Sequence, residues 1–545
     1  MHKYYKISYP FKREVFFFTM KKIEQIFFIG ILLISLIFVP ITAGNIRESK
    51  LQESPQIIRV DNEGDGDFTS IQSAINQAKP HDKISVYSGS YIENIQITTH
   101  HLSIEGLPYE LGTGNDTDMP IITGLQTGDV IGIKTEEISL SGFIIQGSGQ
   151  NYCDAGIAVY NDHNIVKENG VTASFYGIVL SNCSSNTIQS NYLTANIMDG
   201  IFLSNTHQNK IKNNIIRENG FQGMYLQDTT MNTIQENTIY LNNKNGIQLR
   251  DNCYHNNIEK NTIHTNGLDG IICVLDDISQ NTFKKNTIYS NGWSGISLLF
   301  GEKNKILENE IKLNLLNGIH LFNSDQNIIS KNTIVENKEK GIFISWDEST
   351  GNKIYYNNII NDNAYDEGTN QWDNGGLGGN YWSYYSGSDE NNDGFGDTPY
   401  FVPGNNNQDD YPIMDQIHPP STPAKPTGPG IGIVDRTYTY QTKATATNQV
   451  QYGWDWNGDF IVDEWTQFYE SNQPCHVEHI YDENGSYKIR VKSMDNYGFQ
   501  SEWSEPLSTT MPAYTNFFHR FITQHPIIVH MIQFIINITQ IFTLT

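Results

Sequence analysis

Acidic residues recur about one repeat apart through the middle of this 545-residue chain: Asp228, Asp251, Asp276, Asp277, Asp325, Asp347 and Glu348, with Arg250 the nearest base. Paired carboxylates cleave glycosidic bonds when one is a general acid and the other a base or nucleophile. Asp276 with Asp251, or Asp347 with Glu348, are the pairs that a polysaccharide lyase or glycoside hydrolase would use here. A row of solvated turn acids in an acidic protein accounts for the same pattern. Outward positions on the segments just before these acids carry Phe202, Tyr225, His320 and Phe343, with Trp346 nearby. Such rings stack on sugars or cover one another. Asp389, Asn391, Asp393 and Asp397 place oxygens at positions 1, 3, 5 and 9 around Gly394, the spacing of a calcium loop, although Tyr400 stands where a bidentate Glu belongs. Asp455, Asn457, Asp459 and Asp463 repeat that array with Phe460 in the glycine position, so Ca2+ is the cofactor to expect. Five cysteines without CxxC or Cys/His spacing give no zinc or iron–sulfur site and are too few for a disulfide scaffold, although export would permit one pair to oxidise.

The elements that must position these groups follow from asparagine. The chain has 59 Asn, 44 of them between positions 151 and 400. Aligned on a Gly followed by alternating apolar residues, the repeats begin at Gly177, Gly200, Gly223, Gly246, Gly270, Gly295, Gly318 and Gly341. Each also carries N-x-I-x-x-N-x-I, as in Asn232 to Ile239, and most close on a third Asn such as Asn242. Units this short, with period-two apolar residues and breaks at Gly or Asn, hold short strands joined by turns. One unit cannot bury its own apolar face, so the units must stack as coils about 4.8 Å apart with parallel pairing. The expected fold is all-β: a right-handed parallel β-helix over residues 55–375, its first coil plugged by a short helix carrying Phe68, Ile71, Ala74, Ile75 and Ala78. At the turns Asn should adopt the left-handed conformation and donate its side-chain amide to the next coil.

With 35 Lys+Arg against 60 Asp+Glu the net charge is −25, which disfavours nucleic acid as a partner. Lys21 and Lys22 before the uncharged run Ile26–Val39 read as a signal peptide or membrane anchor within residues 1–44. Residues 417–430 are a proline-rich linker, 431–512 have the alternating strands of an immunoglobulin-like β-sandwich, and 513–545 form an amphipathic helix that docks on the protein, a membrane or a partner.

The segment GGLGGNYWSYYSGSDENNDGFGDTPYFVPGNNNQDDYPIM (residues 375–414), with the Asn-rich coils before it, resembles the NosD-like β-helix family, also described as carbohydrate-binding and sugar-hydrolysis β-helices. Residues 376–416 would be that family's tail. The namesake branch of the family is linked to copper delivery, but this chain has no Met/His/Cys cluster suited to copper. The segments YGWDWNGD, DENGSYKIRVKSMDNYG and SEWSEPL are similar to PKD-type domains of surface proteins, archaeal ones especially. The expected protein is exported, extracellular or cell-surface and non-catalytic, and its long face binds carbohydrate or an envelope component. A polysaccharide-cleaving enzyme and a copper-handling accessory protein are the alternatives.

Overall fold

A computed structural model describes residues 54–112, 116–275 and 277–512; the expectations for residues 1–44 and 513–545, and for Asp276, lie outside the described residues. Three long parallel sheets make a right-handed β-helix, each coil contributing one strand to each. Sheet A runs from Ile57–Val60 to Lys353–Tyr355 with 13 strands, sheet B from Ser90–Ile92 to Tyr381–Trp382 with 13, and sheet C from Ile95–Ile97 to Ala364–Asp366 with 12. One coil shows why the sequence closes this way. Ile234 in sheet A, Ile239 in sheet B, and Ile247 and Leu249 in sheet C all point inward and are fully buried, and the next coil repeats them as Ile258, Ile263, Ile271 and Cys273. The stacked interior is one continuous core from Ile58 to Val402.

Three asparagine rows run along the bends. In the row Asn237, Asn261, Asn286, the Asn237 amide N–H and side-chain Nδ2 both donate to Asn261 Oδ1, each at 3.0 Å, and Asn237 Nδ2 also donates to Ile211 O at 2.9 Å. Asn261 does the same toward Asn286 and Ile234. The left-handed position is not the asparagine but the residue before it: Glu236, Lys260 and Lys285 have φ of 56°, 54° and 53°. Asn is therefore selected here as a buried donor and acceptor, which corrects the turn role expected of it. Between rungs the donation runs toward the C-terminal coil, so the last rung has no later rung to donate to and must accept from the one before. Asp362 ends one row, accepting Asn337 N and Nδ2, and Asp409 ends another, accepting Asn380 N and Nδ2.

Both ends of the solenoid are closed. At the start, helix Ile71–Gln77 buries Ile71, Ala74 and Ile75, and its first amides are capped by Ser70 and by Glu93. At the finish, Trp382 stacks on Tyr400 at 4.0 Å and lies against Trp372, and their indole N–H groups donate to Asp409 and Asp366 at 2.8 Å. The tail motif thus builds the end cap: Asn380 is a ladder rung, Trp382 and Tyr400 cover the core, and Asp409 terminates the row.

Beyond it, Thr437–Thr442 pairs antiparallel with Cys475–Ile480, and Val450–Asp455, Glu464–Trp465, Gly485–Asp495 and Leu507–Met511 form a four-stranded antiparallel sheet. Tyr440, Tyr452, Trp454 and Val491 are in the shared core. Residues of the proline-rich stretch join this module, with Ser421 N donating to Thr445 O and Ala424 N to Lys443 O. All five cysteines are free thiols.

Candidate functional site

The acid row lies where sheet C ends in a turn. Asp228 and Asp251 have φ of 54° and 50°, and Leu275, Phe300, Asn323 and Trp346 occupy the same left-handed position in other coils, while Asp277, at φ 57°, lies two residues past Leu275 in the same coil. The short polar side chain of Asp suits that backbone, so Asp228, Asp251 and Asp277 are explained by the turn itself, whereas Asp325, Asp347 and Glu348 are not left-handed. Asp228 Oδ1 accepts Asn252 Nδ2 at 2.8 Å, Asp251 is ion-paired with Arg250 at 3.3 Å, and Asp325 Oδ1 accepts Thr350 N at 2.7 Å. Asp347 and Glu348 are exposed in a turn.

The outward row of sheet C reads Ala158, Val179, Phe202, Tyr225, Gln248, Ile272, Ser297, His320, Phe343 and Tyr365. Its aromatics stack at both ends. Tyr176, Phe202 and Tyr225 are spaced 5.3 and 5.1 Å, and His320 lies 5.1 Å from Phe343, which leans on Tyr365. Phe202 is 0% exposed, sandwiched between tyrosines beneath Tyr152, so it belongs to the packing and cannot itself be a contact for a ligand. Tyr152, 70% exposed, is the ring that this cluster presents to solvent. His320 shares a hydrogen bond at 3.0 Å with Ser345, and burial lowers its pKa.

Two carboxyls that the repeat alignment passed over sit on this face, one residue before the repeat glycine. Asp199 is 2% exposed and accepts Gln222 N at 2.7 Å; burial pushes it up to about 7. Asp269 accepts Ser294 N at 3.1 Å and Ser297 Oγ at 2.7 Å and is pushed up to about 6 by the same cause. In other coils Asn245 and Ser294 accept the equivalent amide with neutral side chains. The fold therefore needs an acceptor at this position and not a charge. The signal was the D-G-I of two repeats, masked because the other coils have unrelated residues there.

Two lines of exposed apolar side chains border this row. On the sheet B side the line is Phe221, Trp293 and Leu316, with Lys244 and the half-buried Leu268 between Phe221 and Trp293; on the far side it is Leu275, Phe300 and Trp346. Trp293 is 48% exposed and Trp346 is 49% exposed. Between them the outward row is mixed, with Ile272, Ser297, His320 and Phe343, and in the coils just before, Gln222 Nε2 donates to Gln248 Oε1 at 2.9 Å and Asn245 Nδ2 donates to the same oxygen.

The two calcium-type arrays adopt one geometry. Asp389 accepts Asp393 N and Gly394 N, Asn391 accepts Asp393 N, and Asp397 accepts Glu390 N. Asp455 accepts Gly458 N and Phe460 N, Asn457 accepts Asp459 N, and Asp463 accepts Trp456 N. Gly394 and Phe460 are both left-handed, so Phe460 takes the glycine conformation with its ring against Arg490. Among the described residues, no group of three or more His, Cys, Asp or Glu side chains converges to hold a metal, and no helix is long and apolar enough to cross a membrane.

No curated protein sequence matches the chain. Among solved structures, the A-module of a mannuronan C-5 epimerase from Azotobacter vinelandii is 15% identical, with a TM-score of 0.44 over 55% of this chain and 90% of its own. A DFA-IIIase from Arthrobacter chlorophenolicus without its lid is 14% identical, with a TM-score of 0.44 over 58% and 98%. The PKD domain of an M14-like peptidase from a Thermoplasmatales archaeon is 33% identical over 18% of this chain and 98% of its own, with a TM-score of 0.16. None of these likenesses bears on the chemistry. The family model described as periplasmic copper-binding protein (NosD) matches residues 121–291 and 251–387. That match and the parallel solenoid together support a NosD-like β-helix.

Proposed function

We propose that this chain is an exported, non-catalytic protein that binds carbohydrate along the outward face of sheet C. The supporting observation is the pair of exposed apolar borders, with Trp293 on one side and Trp346 on the other, flanking the outward row that carries His320 and Phe343. Apolar edges for the C–H faces of sugars, with a polar group such as His320 for their hydroxyls, are what a glycan surface requires. The family's periplasmic description agrees with export. The same description names copper, and the donor set does not fit it: no His/Cys/Asp/Glu group converges among the described residues, and Cys183, Cys253 and Cys273 are buried in the coils. On a panel of soluble polysaccharides, Trp293→Ala with Trp346→Ala should weaken binding at least tenfold while leaving the circular dichroism unchanged, two ring contacts being worth about 1–3 kcal/mol together. Failure of the wild type to bind any member, or equal binding by the variant, would sink the proposal.

A catalytic reading is favoured by one observation, the protonatable Asp199 beside Tyr176 and Tyr225. It requires release of reducing ends on the same panel. The paired loops carry a separate expectation, calcium binding, and millimolar Ca2+ should then raise Tm by linkage, with Asp393→Asn lowering the gain. An unchanged Tm with and without chelator counts against it.

A further inference from the structure

The C-terminal module lies against the bend between sheets A and B, where the left-handed positions of successive coils carry Lys260, Lys285, Glu308 and Lys331. Contacts follow that row in order: Glu502 pairs with Lys285 at 3.3 Å, Lys331 Nζ lies 5.1 Å from the centre of the Phe499 ring, and Tyr497 lies 5.0 Å from Tyr356. Asn358 clasps Ile417 through both its amide groups. Between the coils and the module remains an open groove of about 450 Å³, within the range of small-ligand sites, and domain junctions are where such sites concentrate.

The groove is lined by Lys285 and Lys331 with Glu308, Glu310 and Glu502, and Glu310 is ion-paired with Lys312. Lys260, Lys284, Lys285, Lys331 and Lys492 gather around Glu308, Glu502 and Asp495. The two glutamates are committed to Lys284 and Lys285. Lys331, which lines the groove, is in no ion pair among the described residues, and burial lowers its pKa. Glu308 and Asp495 act on Lys331 through space without pairing with it, so its partly buried ammonium is left to pair with an anion that a ligand supplies. Around it stand groups that suit a sugar ring: Thr333, Thr422 and Gln500 for hydroxyls, and Pro419 and Pro420 for the apolar face.

We propose that this groove binds an acidic saccharide, a uronate-bearing unit whose carboxylate pairs with Lys331. The site is separate from the face of sheet C and stands whether or not that face binds glycan. The test uses purified protein with trigalacturonate, a neutral trisaccharide of the same length and inorganic sulfate, read by calorimetry and by the fluorescence of Trp503, which lies 4.7 Å from Lys492 Nζ. Trigalacturonate should bind, weaken as salt rises, and lose at least tenfold affinity in Lys331→Gln but not in Lys338→Gln or in the Trp293/Trp346 double variant. Lys331→Arg, which keeps the charge over Phe499, should retain most of the binding and the wild-type Tm. Equal affinity for the neutral sugar, sulfate competing as well as trigalacturonate, unaltered binding by Lys331→Gln, or no binding at all each overturns the proposal.

Discussion

Asn261→Ala is expected to destabilise the β-helix by about 4–6 kcal/mol, more than any single substitution on its surface. The side chain accepts two hydrogen bonds from Asn237 and donates to Ile234 O and Asn286 Oδ1, all within 2.9–3.0 Å and all buried. Removing it takes the partner from Asn237 N, from one N–H of the Asn237 side-chain amide and from Ile234 O, while Asn286 Oδ1 keeps the backbone N–H of residue 261, at about 1–3 kcal/mol for each group that water cannot reach. Because a solenoid is coupled only through neighbouring coils, the defect should also split the unfolding transition into two steps. Asn243→Ala, exposed one bend further along the coil before, should cost less than about 0.5 kcal/mol. Asn261→Asp separates the ladder's two functions: the carboxylate still accepts from Asn237 but faces Ile234 O and Asn286 Oδ1 with no donor. It should be as damaging as Ala at pH 8 and recover in acid, although Asp362 and Asp409 serve well at the row ends. Denaturant midpoints of these variants against wild type decide the matter; an Asn261→Ala loss near that of Asn243→Ala would refute the ladder's energetic role.

That contrast shows which parts of the molecule its sequence disclosed. The period, the inward Ile and Leu, the plugging helix and the asparagine rows were legible because each coil repeats one local solution to the same packing problem. The source of the left-handed bends was not, since Ser190, Asn213, Glu236 and Lys260 share no side-chain type and only the backbone unites them. The tail motif was visible as a pattern, but its meaning depended on Trp382, Tyr400 and Asp409 meeting across the end of the core. Among the candidate site residues, Tyr225, His320, Phe343 and Trp346 do share one face. Phe202 shares the row too, yet its burial depends on Tyr152, which lies about two coils earlier and belongs to no repeat signature. The acids drew attention through their regularity, which turned out to be that of a turn. Asp199 was hidden for the opposite reason, its distinction being a departure from what other coils place there. The groove holding Lys331 needed the docking of two modules that no local pattern records.

Asp199→Asn should stabilise the protein at pH 8 by about 2–4 kcal/mol and change little at pH 4. In the folded chain the carboxyl titrates at about 7, because burial penalises its anion and the Gln222 amide offsets only part of that cost. Unfolded, it titrates near 3.9. Between these values the folded state holds a proton that the unfolded state has released, so stability falls as pH rises from about 4 to about 7 and is level above. The amide cannot ionise, and Asn245 already fills the same position three residues ahead of Gln248 in its own coil, accepting Asp269 N, so Asn fits the geometry. Wild type should therefore lose stability across that window more steeply than the variant. A residual slope should persist in the variant, since Asp269, Asp409 and Asp495 are raised by burial too. Urea midpoints at pH 4, 6 and 8 test this, and parallel curves for the two proteins would show that Asp199 is not held protonated. If the curves diverge as expected, the chain retains a destabilising acid where its own repeats show a neutral group suffices. Beneath the face of sheet C there is then, near neutral pH, a buried carboxyl able both to give and to take a proton beside Tyr176 and Tyr225. Activity and binding on that face should follow the same titration, and loss of either in Asp199→Asn without loss of stability would assign the carboxyl to function.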